Sequence, residues 1–181
     1  MHSIFARISA LSALLGSTLF ALMFATFLST AFLDETIPVD LGVGNVVVQV
    51  AEDFTVSNPT RNDLGRLRID IKQANVEPLF NWNVKQLFIF LAAEYKTPSN
   101  SVNQVALWDK IIRRGENYDI EYKSMKGKYP FWDDGSGLRN NDNITLKFYW
   151  NIIPNAGVMP LKSSGSQVVF SFPPTYYETV R

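Results

Sequence analysis

VKQLFIFLAAEY, residues 84–95, can be read in two ways. Val84, Leu87, Phe88 and Leu91 recur at i, i+3, i+4 and i+7, the spacing of one face of a helix. The same run also fits a strand that is apolar on both faces, and its Phe, Ile and Tyr content favours the strand. Such a strand either lies in the middle of a sandwich or has one face docked on a partner. Val105 to Ile112, VALWDKII, is the candidate neighbour for it.

The segments around it also read as strand. Leu67, Ile69 and Ile71 alternate with Arg68, Asp70 and Lys72, and Val46-Val47-Val48-Gln49-Val50 is β-branched and short. Ile144, Leu146, Phe148, Trp150 and Ile152 share one parity, while Thr145, Lys147, Tyr149 and Asn151 share the other. Val168, Phe170 and Phe172 alternate near the end of the chain. Turn residues punctuate these runs at Asn62-Asp63, Thr97-Pro98-Ser99-Asn100, Asp133-Asp134-Gly135-Ser136-Gly137, Pro154-Asn155-Ala156-Gly157 and Ser163-Ser164-Gly165-Ser166. Short strands spaced by such turns predict an antiparallel β-sandwich.

The amino-terminal segment is different in kind. IFARISALSALLGSTLFALMFATFLSTAFLDE has no charge between Arg7 and Asp34. A bilayer core needs about 20 apolar residues as helix, so this run is long enough to span it. A cleaved signal peptide competes, with Ser29-Thr30-Ala31 as small residues at a cleavage point, but signal cores run only about 7–15 residues. Length favours the uncleaved anchor. Arg7 lies before the segment, and Asp34, Glu35 and Asp40 lie after it, so the charge flanks predict a cytosolic N-terminus and a lumenal remainder. The expected organisation is a short cytosolic N-terminus at 1–10, a transmembrane anchor at 11–33 and a lumenal β-sandwich domain at 34–181.

Composition narrows the chemistry. The 181 residues carry 17 Lys+Arg against 17 Asp+Glu, so no basic field points to nucleic acid. With no cysteine there are no disulfides, thiolate metal sites or cysteine nucleophiles. The one histidine, His2, falls on the far side of the membrane from the body, which removes a Ser-His-Asp triad and any histidine metal site there. Serines and lysines leave a Ser–Lys pair open on composition, but nothing resembles a G-x-S-x-G elbow. No catalytic, cofactor or metal residue is expected. Trp132-Asp133-Asp134-Gly135-Ser136-Gly137 is the most site-like cluster. Its oxygens do not follow an EF-hand spacing, so a tight turn is the favoured reading. Trp82, Trp108, Trp132 and Trp150 suggest either packing or a sugar platform. Asn81-Trp82-Asn83 suggests polar capping of a sheet edge. Asn143-Ile144-Thr145 fits an N-glycan acceptor, whereas Asn58-Pro59-Thr60 is blocked by its proline. Asn143 has the water-facing parity, so it is the expected glycan site.

FNWNVKQLF (80–88), AEY (93–95), NQVALWDKII (103–112), FWDDGSGL (131–138), the sequon and WNIIPNAG (150–157) resemble the signal peptidase complex subunit 3 family of the eukaryotic endoplasmic reticulum. The resemblance implies a single-pass glycoprotein of that membrane, essential for signal-peptide cleavage but without catalytic residues. It implies partners as well: a catalytic serine protease subunit, small accessory membrane subunits, the surrounding lipid and, indirectly, preprotein substrates. Trp108, Asp109, Lys110, Trp132 and Asp133, with the Leu87–Leu91 stretch, are the candidate contacts. The competing expectation is an independent membrane-tethered lumenal module that binds glycans or client proteins through exposed aromatics. A stand-alone hydrolase is a third, which the missing lumenal base argues against.

Overall fold

The computed structural model describes residues 3–53 and 60–177. His2 and Asn58-Pro59 lie outside them. Helix α1 spans Ile4–Thr30 and is capped by Ser3, whose side chain accepts from the Ala6 N–H. Nearly all of its large side chains are exposed. Ser17 and Thr18 donate to the Leu14 carbonyl, Thr26 to Leu22 and Ser29 to Thr26. These hydroxyls are therefore satisfied inside the helix, as hydrocarbon surroundings require.

Among the described residues eight strands follow: β1 Val39–Asp53, β2 Thr60–Asn75, β3 Val84–Tyr95, β4 Asn103–Arg113, β5 Asp119–Lys126, β6 Phe131–Trp132, β7 Ile144–Pro154 and β8 Leu161–Phe170. They form two antiparallel sheets. One has the order β1-β2-β5, with β6 also pairing β2; the other has the order β4-β3-β7-β8. Residues 84–95 are thus a strand with a neighbour on each side. Leu91 opposes Trp108 of β4 and Phe148 of β7. A bulge between Leu91 and Ala92 shifts the β4 register, and Leu91, Ala92 and Ala93 are buried in succession.

Leu87, Ile89 and Leu91 of β3 join Ile144, Leu146, Phe148 and Trp150 of β7 in the core, all fully buried, against Ile69, Ile71 and Val48 of the other sheet. Each such aliphatic contributes roughly 1.5–3 kcal/mol by leaving water. The tail closes one end. Phe172 packs on Phe131 at 5.5 Å between ring centres, and Gly65 of β2 leaves it room, since a Cβ there would overlap its ring.

Two expected turns are not turns. Asn62-Asp63 lies within β2. The Asp63 carboxylate is buried and accepts from the Leu138 and Arg139 N–H groups at 2.9 and 3.3 Å, so it ties a loop down rather than starting one. Ser163-Ser164-Gly165-Ser166 lies within β8. The register with β7 slips between Lys147 and Tyr149, and the Ser166 N–H bonds Ser164 Oγ at 3.0 Å, so the turn-forming residues make a bulge. β1 is also longer than its valine run, taking in Gly42 and Gly44 with irregular register.

Candidate functional site

Alternation on β3 leaves a second face. Gln86, Phe88, Phe90 and Glu94 point away from the core and are half-buried. Across the ladders Phe88 meets Ile111 and Asn151, and Phe90 meets Asp109 and Tyr149. The Phe88 and Phe90 rings lie 5.6 Å apart, and Phe90 stacks on Tyr149 at 5.1 Å with an 11° interplanar angle. Ile111, 49% exposed, borders them. The result is an aromatic strip on the outside of a sheet whose inside is already filled.

Charged groups frame the strip. Lys147 Nζ is 2.6 Å from Glu94 Oε2, Tyr149 donates to Glu94 Oε1, and Gln104 donates to the same oxygen at 3.1 Å. Partial burial pushes the Glu94 carboxyl up, but the bonds from Lys147 and Tyr149 outweigh it and hold the group below its ordinary value. Burial and the Glu94 bond push the Tyr149 phenol up to about 12, so it remains a donor. On the β4 side Asp109 accepts from Lys128 at 2.7 Å and Tyr129 at 2.6 Å, and these bonds lower its carboxyl.

The five residues expected as contacts therefore separate. Asp109 stands beside Phe90 on the outer face. Trp108 is 9% exposed and points inward, edge-on to Tyr122 at 5.5 Å, with Lys110 over the same ring at 5.9 Å. Trp132 and Asp133 lie at the Tyr95 end of the sandwich, where the Tyr95 ring packs on Phe131. There the buried Asp133 accepts the N–H groups of Gly135 and Gly137, both at positive φ, and burial raises its carboxyl. Asp134 is also pushed up by burial, but bonds from Thr97, Asn100 and Ser136 reverse this and hold it low. These carboxylates accept from hydroxyl, side-chain amide and backbone N–H donors of the surrounding loops, the bonding of an Asx turn. Among the described residues no three His, Cys, Asp or Glu side chains gather to hold a metal. The tryptophans form no platform: Trp150 is fully buried, and Trp82, 60% exposed, sits by Val84 at the opposite end of β3 from Trp132.

Asn143 is exposed immediately before β7, while Ile144 is fully buried. Asn83 was missed as more than a cap. It is 2% exposed, and its Nδ2 donates to Thr30 Oγ1 at 3.2 Å and to the Ala156 carbonyl at 2.8 Å. Its own carbonyl accepts from Asn155. It therefore fastens α1 to the β7–β8 loop. In the sequence that role shows only as an Asn directly before a strand start.

Comparison with known proteins agrees over nearly the whole chain. The family described as signal peptidase subunit matches residues 1–175. Signal peptidase complex subunit 3 of Homo sapiens is 47% identical over 176 residues, covering 97% of each chain. The subunits of the same name from Drosophila melanogaster (46%, 97% of each chain) and Gallus gallus (45%, 99% of this chain and 98% of that one) are similar throughout as well.

Proposed function

Since this chain belongs to the signal peptidase subunit family and is a subunit of the signal peptidase complex, we propose that it acts as a non-catalytic scaffold for the serine protease subunit. The observation that carries this reading is the aromatic strip Phe88–Phe90–Tyr149, stacked on the outer face of a sheet already filled within. Half-exposed aromatics framed by fixed ion pairs are the composition of an interface anchor. The protease subunit would rest on this face, beside Asp109. Backbone pairing on both sides of β3 makes the platform stiff, and a small misplacement of reacting groups costs much rate.

In this reading α1 is an uncleaved anchor in the endoplasmic reticulum membrane, with the N-terminus cytosolic and the sandwich lumenal. The small accessory membrane subunits would adjoin α1. Arg7 before the apolar run and Asp34 and Glu35 after it support that orientation. Asn143 would carry a glycan. Trp108, Lys110, Trp132 and Asp133 would act indirectly, by holding the scaffold's shape. The test is native purification from microsomes carrying Phe88→Ser with Phe90→Ser. The protease subunit should be lost and preproteins left uncut while the chain stays folded. Undiminished recovery of the protease subunit would sink the docking face.

A further inference from the structure

The end of the sandwich nearest α1 exposes apolar side chains that the scaffold role does not use. Val158 is 66% exposed, Met159 63% and Trp82 60%. They are held together. Asn83 follows Trp82 and bonds both Asn155 and Ala156, just ahead of Val158. The same asparagine bonds Thr30 in the last turn of α1. Gly157 lies against Phe27 of α1: at its φ of +118° a Cβ would stand 2.8 Å from Phe27 Cδ2.

The helix gives this end a depth. Twenty residues separate Arg7 from Phe27, about 30 Å at the helical rise and equal to the hydrocarbon thickness of a bilayer. With Arg7 rather than residue 11 at one boundary, Phe27 reaches the other, and the loop packed on it lies at the same level. Basic side chains lie at the same end of the sandwich. Lys85 is the second residue of β3 and Arg113 ends β4 at the same edge, both exposed, while Lys162, the second residue of β8, is held by Glu35 at 3.5 Å. A tryptophan and aliphatic tips with lysine and arginine at the same level are the signature of a headgroup boundary.

We propose that this end of the sandwich sits in the lumenal leaflet beside α1, with Trp82, Val158 and Met159 inserted at the headgroup–acyl boundary and Lys85 and Arg113 meeting lipid phosphates. The inference rests on the anchor reading of α1. It fixes the height of the Phe88–Phe90–Tyr149 face above the bilayer, because the Asn83 and Gly157 contacts join that sheet to the helix.

The chain has no cysteine, so single-cysteine probes need no background removal. The full chain is reconstituted alone into phosphatidylcholine–phosphatidylserine vesicles, with an environment-sensitive fluorophore at Met159→Cys, at Leu19→Cys in mid-helix, or at Val102→Cys. Val102 is 67% exposed, just before β4 at the far end. The expected result at Met159 is a blue shift and quenching by a phosphatidylcholine with a nitroxide near the top of its acyl chain. Leu19 should be quenched by a nitroxide near the chain end, and Val102 by neither. If Leu19 is quenched and Met159 behaves like Val102, the lipid contact is overturned and the anchor stands. That outcome would leave a protein to cover the patch. If Leu19 too is unquenched, the anchor reading fails and the proposal with it.

Discussion

Leu87, Ile89 and Leu91 on the inner face of β3 and Phe88 and Phe90 on its outer face differ less in chemistry than in company. The inner three are fully buried against the facing sheet. The outer two meet one another, Tyr149 and a rim of ion pairs, and remain half-exposed. One strand therefore carries two jobs on alternate residues. The inner face specifies the fold. In the proposed scaffold role the outer face is left for the complex, and its cost in exposed apolar surface is what a partner would relieve.

The largest effect should come from the inner face. Ile89→Ala removes a fully buried side chain from the middle of β3 and should cost about 2–5 kcal/mol, seen as a lower urea midpoint of the detergent-solubilised chain. On the outer face Phe90→Ala should cost less than about 2 kcal/mol, because the ring is only half-buried. Complex recovery should nevertheless fall further for Phe90→Ala than for Ile89→Ala at a temperature where both are folded. Equal losses of stability would break the division between the faces.

A smaller effect sharpens the rim. The Glu94 carboxyl is held below its unfolded value, so its contribution is present above about pH 4.3 and is lost as pH falls through the lowered value in the folded state. Its side chain is 24% exposed, so solvent screening limits the pair with Lys147 to about 1 kcal/mol. Glu94→Gln should lower stability at neutral pH by about that amount. The gap from the parent chain should close on acidification, followed by thermal melts across pH. A gap that widened in acid would mean that Glu94 is not the ionised partner of Lys147.

How much of this could be read from the chain depends on whether a residue's role is local. The parity of Ile144, Leu146, Phe148 and Trp150 is a local pattern, and all four are buried as it predicts. The strand reading of 84–95 needed only side-chain type, and VALWDKII proved to be its neighbour. Asp63 and Ser163–Ser166 misled because turn-forming residues also make buried caps and bulges, and only the distant partner decides which. For Asp63 that partner is the backbone at Leu138, for the serines the slipped register with β7. Asp109 and Trp108 are adjacent in sequence yet face opposite sides of β4, so a contiguous candidate site could not survive the pleat intact. Asn83 was opaque for the same reason: its partners, Thr30 and Ala156, lie far away in sequence on either side.

The smallest effect on the fold tests where both faces stand. Asn143 is exposed, precedes a fully buried Ile144, and lies at the end of β7 away from α1. That strand runs Ile144–Pro154, about 3.3 Å per residue, so a glycan at Asn143 would stand well clear of the bilayer and of the Phe88–Phe90 strip. Its side chain is exposed and makes no hydrogen bond among the described residues, so Asn143→Gln should leave stability within about 0.5 kcal/mol. The variant should lose the mobility shift that a glycosidase produces on the parent chain. The glycan can be attached only on the lumenal side, so the shift reports orientation independently of Arg7. A parent chain that runs unshifted would remove that support and leave the orientation resting on Arg7 and the family alone.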